Sequence, residues 1–424
     1  MLSRTLRASQ RRSYATVSSA NVAAINHGQA TSSVSVIVKA GPRYESKPGV
    51  AHCLKNFAFK DTTKRSALRS IRETELFGGV LSSSLSREHL TLTADFLPGN
   101  EAYFVDLLVS QLTSTRFARH EFNETVAPSV KEDATAAYND PAVLAVELAH
   151  SIAFRNGLGA GLFASTSNPV TVSDVKEYAS KVYSKDNVAF VGTGVDEALL
   201  KKLVEEQLAA HGLSATGTPS AAKSNYFGGE TRLAPSPEAH SHGPQTVFIG
   251  YGATTPSSEL AILSAYLDPT SSLKWGQSTS PLSSVLSAGT TIKSVYLPYS
   301  DATLAGVLIQ SSSVAEVKKA AEAVAQAVKA VKDGSLKGEA FQPALAKARF
   351  RAASALEQRD ALAGAIGAKL LNSGDASVES LTASLEKVDH ASFSKSASTL
   401  LGSKPTYVAI GDINSLPFAD ELGL

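Results

Sequence analysis

Along residues 32–40 (Ser-Ser-Val-Ser-Val-Ile-Val-Lys-Ala), β-branched apolar residues alternate with small polar ones, and Gly41-Pro42 ends the run. That period of two predicts a strand. The period changes beyond Pro48: Leu54, Phe57 and Ala58 recur at helical spacing, and a proline just before the first turn is well tolerated, so residues 49–59 read as an amphipathic helix. A second helix is predicted over 66–77, with Gly78-Gly79 as its stop. Strands follow over 80–87 and 89–97. Pro98-Gly99-Asn100 then supplies a turn and N-cap for a helix with Tyr103, Phe104, Leu107, Leu108 and Leu112 on one face. Residues 123–154 read as helix broken near Asp140-Pro141, and 157–168 as loop. Thr171 to Asp174 opens a helix ending at Tyr183, residues 187–194 form a strand, and 196–211 form a helix.

Between 213 and 243 the composition shifts to Ser, Ala, Thr, Gly, Pro and His, the signature of a linker or long crossing. His240 and His242 lie in it and read as a solvated loop rather than a metal site. Beyond it the pattern begins again. Residues 246–252 echo the strand ending at Gly41, 302–310 echo the strand at His89, and 406–412 echo 188–193, at offsets of 211, 213 and 218 residues. The second echo is again followed by a helix, over 314–331, with Val317, Ala321, Val324, Val328 and Val331 on one stripe and Gly334 as stop. A near-constant offset implies two copies of one domain. The expected fold is α+β, each half a mixed, mostly antiparallel sheet with helices packed on one face. The expected limits are a leader at 1–14, a first domain at 15–213, a linker at 214–244 and a second domain at 245–424.

Composition adds an address. Of 424 residues, 43% are apolar and 19% charged, and the net charge of +1 offers no footprint for nucleic acid. One cysteine, Cys53, permits no internal disulfide. No acid precedes Glu45, while Arg4, Arg7, Arg11 and Arg12 are interleaved with leucines and serines, the pattern of a mitochondrial transit peptide. Arg12-Ser13-Tyr14 before Ala15 fits matrix cleavage, and losing residues 1–14 would take the net charge from +1 to −3. No apolar run approaches the ~20 residues that span a bilayer, so membrane association is expected to be peripheral, through partners.

The candidate chemistry lies on the helix after Pro48. His52, Lys55 and Asn56 sit at i, i+3 and i+4 and share one face. In the inverted zinc-protease motif, H-x-x-E-H, those positions hold two imidazole ligands and a carboxylate base between them. Here only the first His is present. The stretch 49–65, from Gly49-Val50-Ala51-His52 to Lys60-Asp61-Thr62-Thr63-Lys64-Arg65, resembles the pitrilysin-type peptidases, and within them the mitochondrial processing peptidase and the core proteins of the cytochrome bc1 complex. The resemblance covers roughly residues 20–424.

The resemblance implies two homologous pitrilysin-type domains facing each other. The family's third zinc ligand is a Glu about 76 residues past the second His, which lands here on Asp133, beside Glu132. The degenerate positions are therefore His52, Lys55, Asn56 and Asp133, and neither a catalytic residue nor a metal site is expected. The glycine run that holds presequences in the noncatalytic processing-peptidase subunit is missing: residues 266–286 have one glycine and no arginine. Lys274-Trp275 and Ser280-Pro281-Leu282 resemble the bc1 core-protein branch. The resemblance then implies a matrix-side scaffold of ubiquinol–cytochrome c reductase, partnered by core protein 1, cytochrome b, cytochrome c1, the Rieske protein and small subunits. No cofactor is expected, since no haem or iron–sulfur ligand set is evident. The alternatives are the presequence-binding, noncatalytic subunit of the processing peptidase, an active zinc peptidase, which Lys55 and Asn56 argue against, and an unrelated soluble matrix protein.

Overall fold

The computed structural model describes residues 21–25, 28–165, 167–213, 219, 221–234, 243–271, 278–287, 289–334, 338–374 and 377–424. The first half runs β1 (Asn21–Ile25), β2 (Ser32–Val38), α1 (Val50–Asn56), α2 (Ala67–Leu76), β3 (Val80–Leu85), β4 (Leu90–Phe96), α3 (Glu101–Thr113), α4 (Arg119–Glu121), α5 (Ala127–Asn139), α6 (Pro141–Phe154), α7 (Val172–Val182), β5 (Val188–Thr193) and α8 (Glu197–His211). The second runs β6 (Gly229–Leu233), β7 (Gln245–Ala253), α9 (Ser258–Leu267), β8 (Thr290–Pro298), β9 (Thr303–Ser311), α10 (Val314–Lys332), α11 (Gly338–Ala355), α12 (Arg359–Ser373), α13 (Glu379–Glu386), α14 (His390–Leu401) and β10 (Thr406–Ile410).

Two five-stranded sheets result, in the orders β1-β5-β2-β4-β3 and β6-β10-β7-β9-β8. The orders match strand for strand, with one parallel pair at the same edge of each sheet, β1 with β5 and β6 with β10. The other pairings are antiparallel. The internal repeat read from the sequence is therefore a repeat of topology.

The stretch read as a linker needs a correction: Gly229–Leu233 within it is β6, an edge strand of the second sheet. Five residues with two charges, Glu230 and Arg232, leave no alternating apolar signal to detect. Edge strands carry such residues because only one side must pair.

The expectation of helices on one face also changes. Val34, Val36, Val38, Val188 and Phe190 point to the face that α1, α3, α7 and α8 cover. Ile37, Ala189 and Val191 point the other way, onto Leu362, Ala363, Ile366 and Leu370 of α12, a helix of the second half. The exchange is mutual. Phe248, Leu304, Leu308, Val408 and Ile410 of the second sheet pack on Ala145, Ala149, Ala153 and Phe154 of α6, from the first half. Strands buried on both faces read as near-continuous apolar runs, which is why β5, β7, β9 and β10 were so visible, whereas β2 showed by its alternation of Val with Ser.

Helix α12 is tied at both ends. Arg359 bonds Asp95 Oδ1 at 3.1 Å and Thr31 Oγ1 at 2.8 Å, and Lys39 Nζ donates to Leu371 O at 2.8 Å. Gly367 lets it close on the sheet, because a Cβ there would lie 2.6 Å from Ile37. Among the described residues no helix is long and apolar enough to cross a membrane.

Candidate functional site

Helix α1 is held from three directions. Gly49, its N-cap, adopts φ +89°, and a Cβ there would meet Ala164 Cβ at 2.6 Å. The loop around Ala164 thus presses on the first turn. The Glu45 carboxylate reaches forward to accept the Gly49 and Ala51 N–H groups at 3.0 and 3.1 Å, satisfying donors that a helix start leaves open. Burial pushes that carboxyl up to about 7, against the backbone bonds that favour its ionised form. Val50, Ala51, Cys53, Leu54 and Phe57 fill the core beneath.

The remaining face brings the four degenerate positions together. Asp133, on α5, offers one oxygen, Oδ2, to three side chains: His52 Nε2 at 3.2 Å, Lys55 Nζ at 3.2 Å and Asn56 Nδ2 at 3.4 Å. His52 is buried, and its Nδ1 accepts the Ala164 N–H at 3.2 Å. That bond puts the imidazole hydrogen on Nε2, which donates to Asp133. Burial pulls His52 below the usual imidazole range, against the opposing pull of Asp133. Burial also pushes Asp133 up, but the hydrogen bond and charge of Lys55, with His52 and Asn56, outweigh it and hold the carboxyl below its usual range. Neighbouring Glu132 is exposed. Phe163 packs edge-on against the His52 ring at 5.5 Å.

These residues do not fit a zinc ion. One imidazole and one carboxylate remain of the three protein ligands a catalytic zinc needs. Where a base should stand there is an ammonium, and a divalent ion about 4 Å from it would be opposed by about 8 kcal/mol at an effective dielectric of 20. The arrangement instead makes a polar staple between α1 and α5.

The second half holds a counterpart with the charges reversed. Asp268, just past α9, lies 213 residues after Lys55, and Lys347, on α11, lies 214 after Asp133. Lys347 Nζ sits 3.2 Å from Asp268 Oδ2, and Arg351 pairs with the same carboxylate. The corresponding helix pair is thus tied by the corresponding positions, with acid and base exchanged.

Sequence reasoning missed a second cluster, between the halves. Buried Arg43 donates to Glu88 Oε1 and to Asp301 Oδ2, both at 2.6 Å. Glu88 also accepts the Ser300 N–H at 3.0 Å, and Asp301 accepts the Ser224 N–H at 2.9 Å. Nearby, Tyr299 OH bonds His150 Nε2 at 2.6 Å, while Nδ1 donates to Val146 O at 2.7 Å. Arg87 pairs with Glu147 beside them. These partners are far apart in sequence, so no local motif could expose them.

Some expectations fall outside the described residues: the leader and its cut at Tyr14, His240 and His242, and Lys274-Trp275. Of the other stretch singled out, Ser280 caps a short 3-10 turn and Leu282 is fully buried.

Comparison with known proteins gives the family. The profile of the family described as Insulinase (Peptidase family M16) matches residues 21–166. A Cryptococcus neoformans protein named cytochrome b-c1 complex subunit 2, mitochondrial, is 43% identical over 93% of this chain and 90% of its own length. Its namesake in Yarrowia lipolytica is 38% identical over 97% of both chains, and the human one 26% identical over 95% and 89%. With two sheets of matching strand order and full-length likeness to these proteins, this chain belongs to the family of mitochondrial cytochrome b-c1 complex subunit 2.

Proposed function

We propose that the chain is the second core subunit of mitochondrial ubiquinol–cytochrome c reductase, a scaffold rather than a redox carrier or a peptidase. The observation that carries this is the 43% and 38% identity, over nearly the full length, to proteins named as subunit 2 of that complex. The Lys55 ammonium and Asn56 amide at the metal-helix positions support it. The proposed setting is the matrix side of the inner membrane, attached peripherally, with core protein 1 as the direct neighbour and cytochrome b, cytochrome c1, the Rieske protein and small subunits in the same assembly. Residues 1–14 are proposed to be removed on import. The names of the relatives favour this reading over a processing-peptidase subunit.

Affinity purification of the tagged chain from mitochondria, with identification of what accompanies it, tests the proposal. Recovery of the bc1 subunits in stable proportion is expected. Recovery with a catalytic processing-peptidase subunit, or alone, would overturn it. Sequencing the mature N-terminus checks the import step, and an intact Met1 would refute it.

A further inference from the structure

Away from α1, the second half forms a partly open cavity of about 650 Å3 between α9, β8, α11 and α13. That is within the range of small-ligand sites. Its apolar wall is Ala261 of α9, Ala348, Ala352 and Ala355 of α11, and Leu381 and Leu385 of α13, with five serines interspersed. One cation lines it, Arg351, whose Nη1 donates to Ser294 Oγ at 3.1 Å.

The charge balance around that arginine is uneven. Asp268 is buried, at 1% exposure, and faces two cations, Arg351 and Lys347. Lys347 is committed there, since its ammonium also donates to the Asp268 and Thr270 carbonyls at 2.7 and 2.9 Å. Arg351 retains 39% exposure and fronts the cavity, so it is the surplus positive charge. The nearest acid on α9, Glu259, accepts the Ser257 hydroxyl at 3.0 Å and lines an adjoining hollow instead. Tyr296 OH is used by Ser257 O at 3.2 Å.

An apolar pocket with one surplus guanidinium at its edge suits a molecule with a hydrocarbon body and one anionic head. A guanidinium carries five N–H donors, more than the contacts with Ser294 and Asp268 use, and can receive a second carboxylate. We propose that this cavity binds an amphiphilic carboxylate, its chain against the Ala and Leu walls and its head on Arg351.

The test uses the intact complex purified from mitochondria and a diazirine-bearing dodecanoate as probe, with labelled positions read by mass spectrometry. Labelling should concentrate on α11 and α13. Dodecanoate should compete it away and dodecanol should not. Arg351→Gln should weaken labelling by roughly tenfold, the scale of one lost charge-assisted contact. Ala355→Phe, at an exposed position on the cavity's rim, should block labelling while the complex still assembles. Labelling scattered over the surface, equal competition by dodecanol, or full labelling in the assembled Ala355→Phe complex would each overturn the proposal.

Discussion

Oδ2 of Asp133 takes donors from all three degenerate helix positions, so its loss is felt by each of them. Asp133 is 40% exposed and Lys55 26%, so water partly replaces what is removed. Asp133→Ala is expected to cost about 1 kcal/mol in urea unfolding, and a double-mutant cycle with Lys55→Met should give about 0.5 kcal/mol of coupling. A coupling indistinguishable from zero would dissolve the staple. Gly49 is the more sensitive position. Gly49→Ala forces an L-residue into φ +89° and drives a methyl into Ala164, for an expected loss of about 2 kcal/mol or more. His52, Lys55 and Asn56 were legible as a group because helical spacing alone puts them on one face. Asp133 was reachable only through the family's spacing, since nothing local separates it from exposed Glu132. The Ala164 N–H that fixes the His52 tautomer was invisible, because a backbone donor from a distant loop leaves no mark on sequence.

Strands β2, β4, β5, β7, β9 and β10 announced themselves, whereas β1, β6, β8 and the helices α9 and α11–α14 did not, β1 and α9 although they are largely buried. Strand β8 is half-exposed, and α11 and α12 mix small residues with charges, so neither shows a sharp apolar stripe. Helix α6 was found, but its destination was not: an apolar stripe does not say which sheet it will cover. Its buried His150 gives a pH test. Burial first, then the nearby charge of Arg87, pulls the imidazole down to about 3 from an ordinary value of 6.5. Between those values the unfolded chain binds a proton the folded one refuses, so stability is full above pH 6.5 and falls with acid. Each pH unit is worth about 1.4 kcal/mol, so going from pH 6.5 to 5 should cost about 2 kcal/mol through this group. His150→Gln should flatten that portion of the stability profile. An unchanged acid slope in the variant would show that His150 is not the group responsible.

At the scale of the molecule, each sheet is completed by a helix from the other half, and buried Arg43 joins them through Glu88 and Asp301. The halves are therefore expected to unfold as one. Asp301→Ala, which strips a partner from a buried guanidinium, should cost about 3 kcal/mol and leave a single transition. Two separated transitions in wild type would contradict the exchange. Such a body, with α1 tied to α5 by an ion pair, suits a part that supports others. The most direct test is ubiquinol–cytochrome c reductase turnover per assembled complex in mitochondria carrying His52→Ala with Asp133→Ala, with assembly read on a native gel. Turnover per complex should match wild type, because neither side chain is assigned a part in chemistry. A complex that assembles normally yet loses turnover would contradict the structural role assigned to this chain.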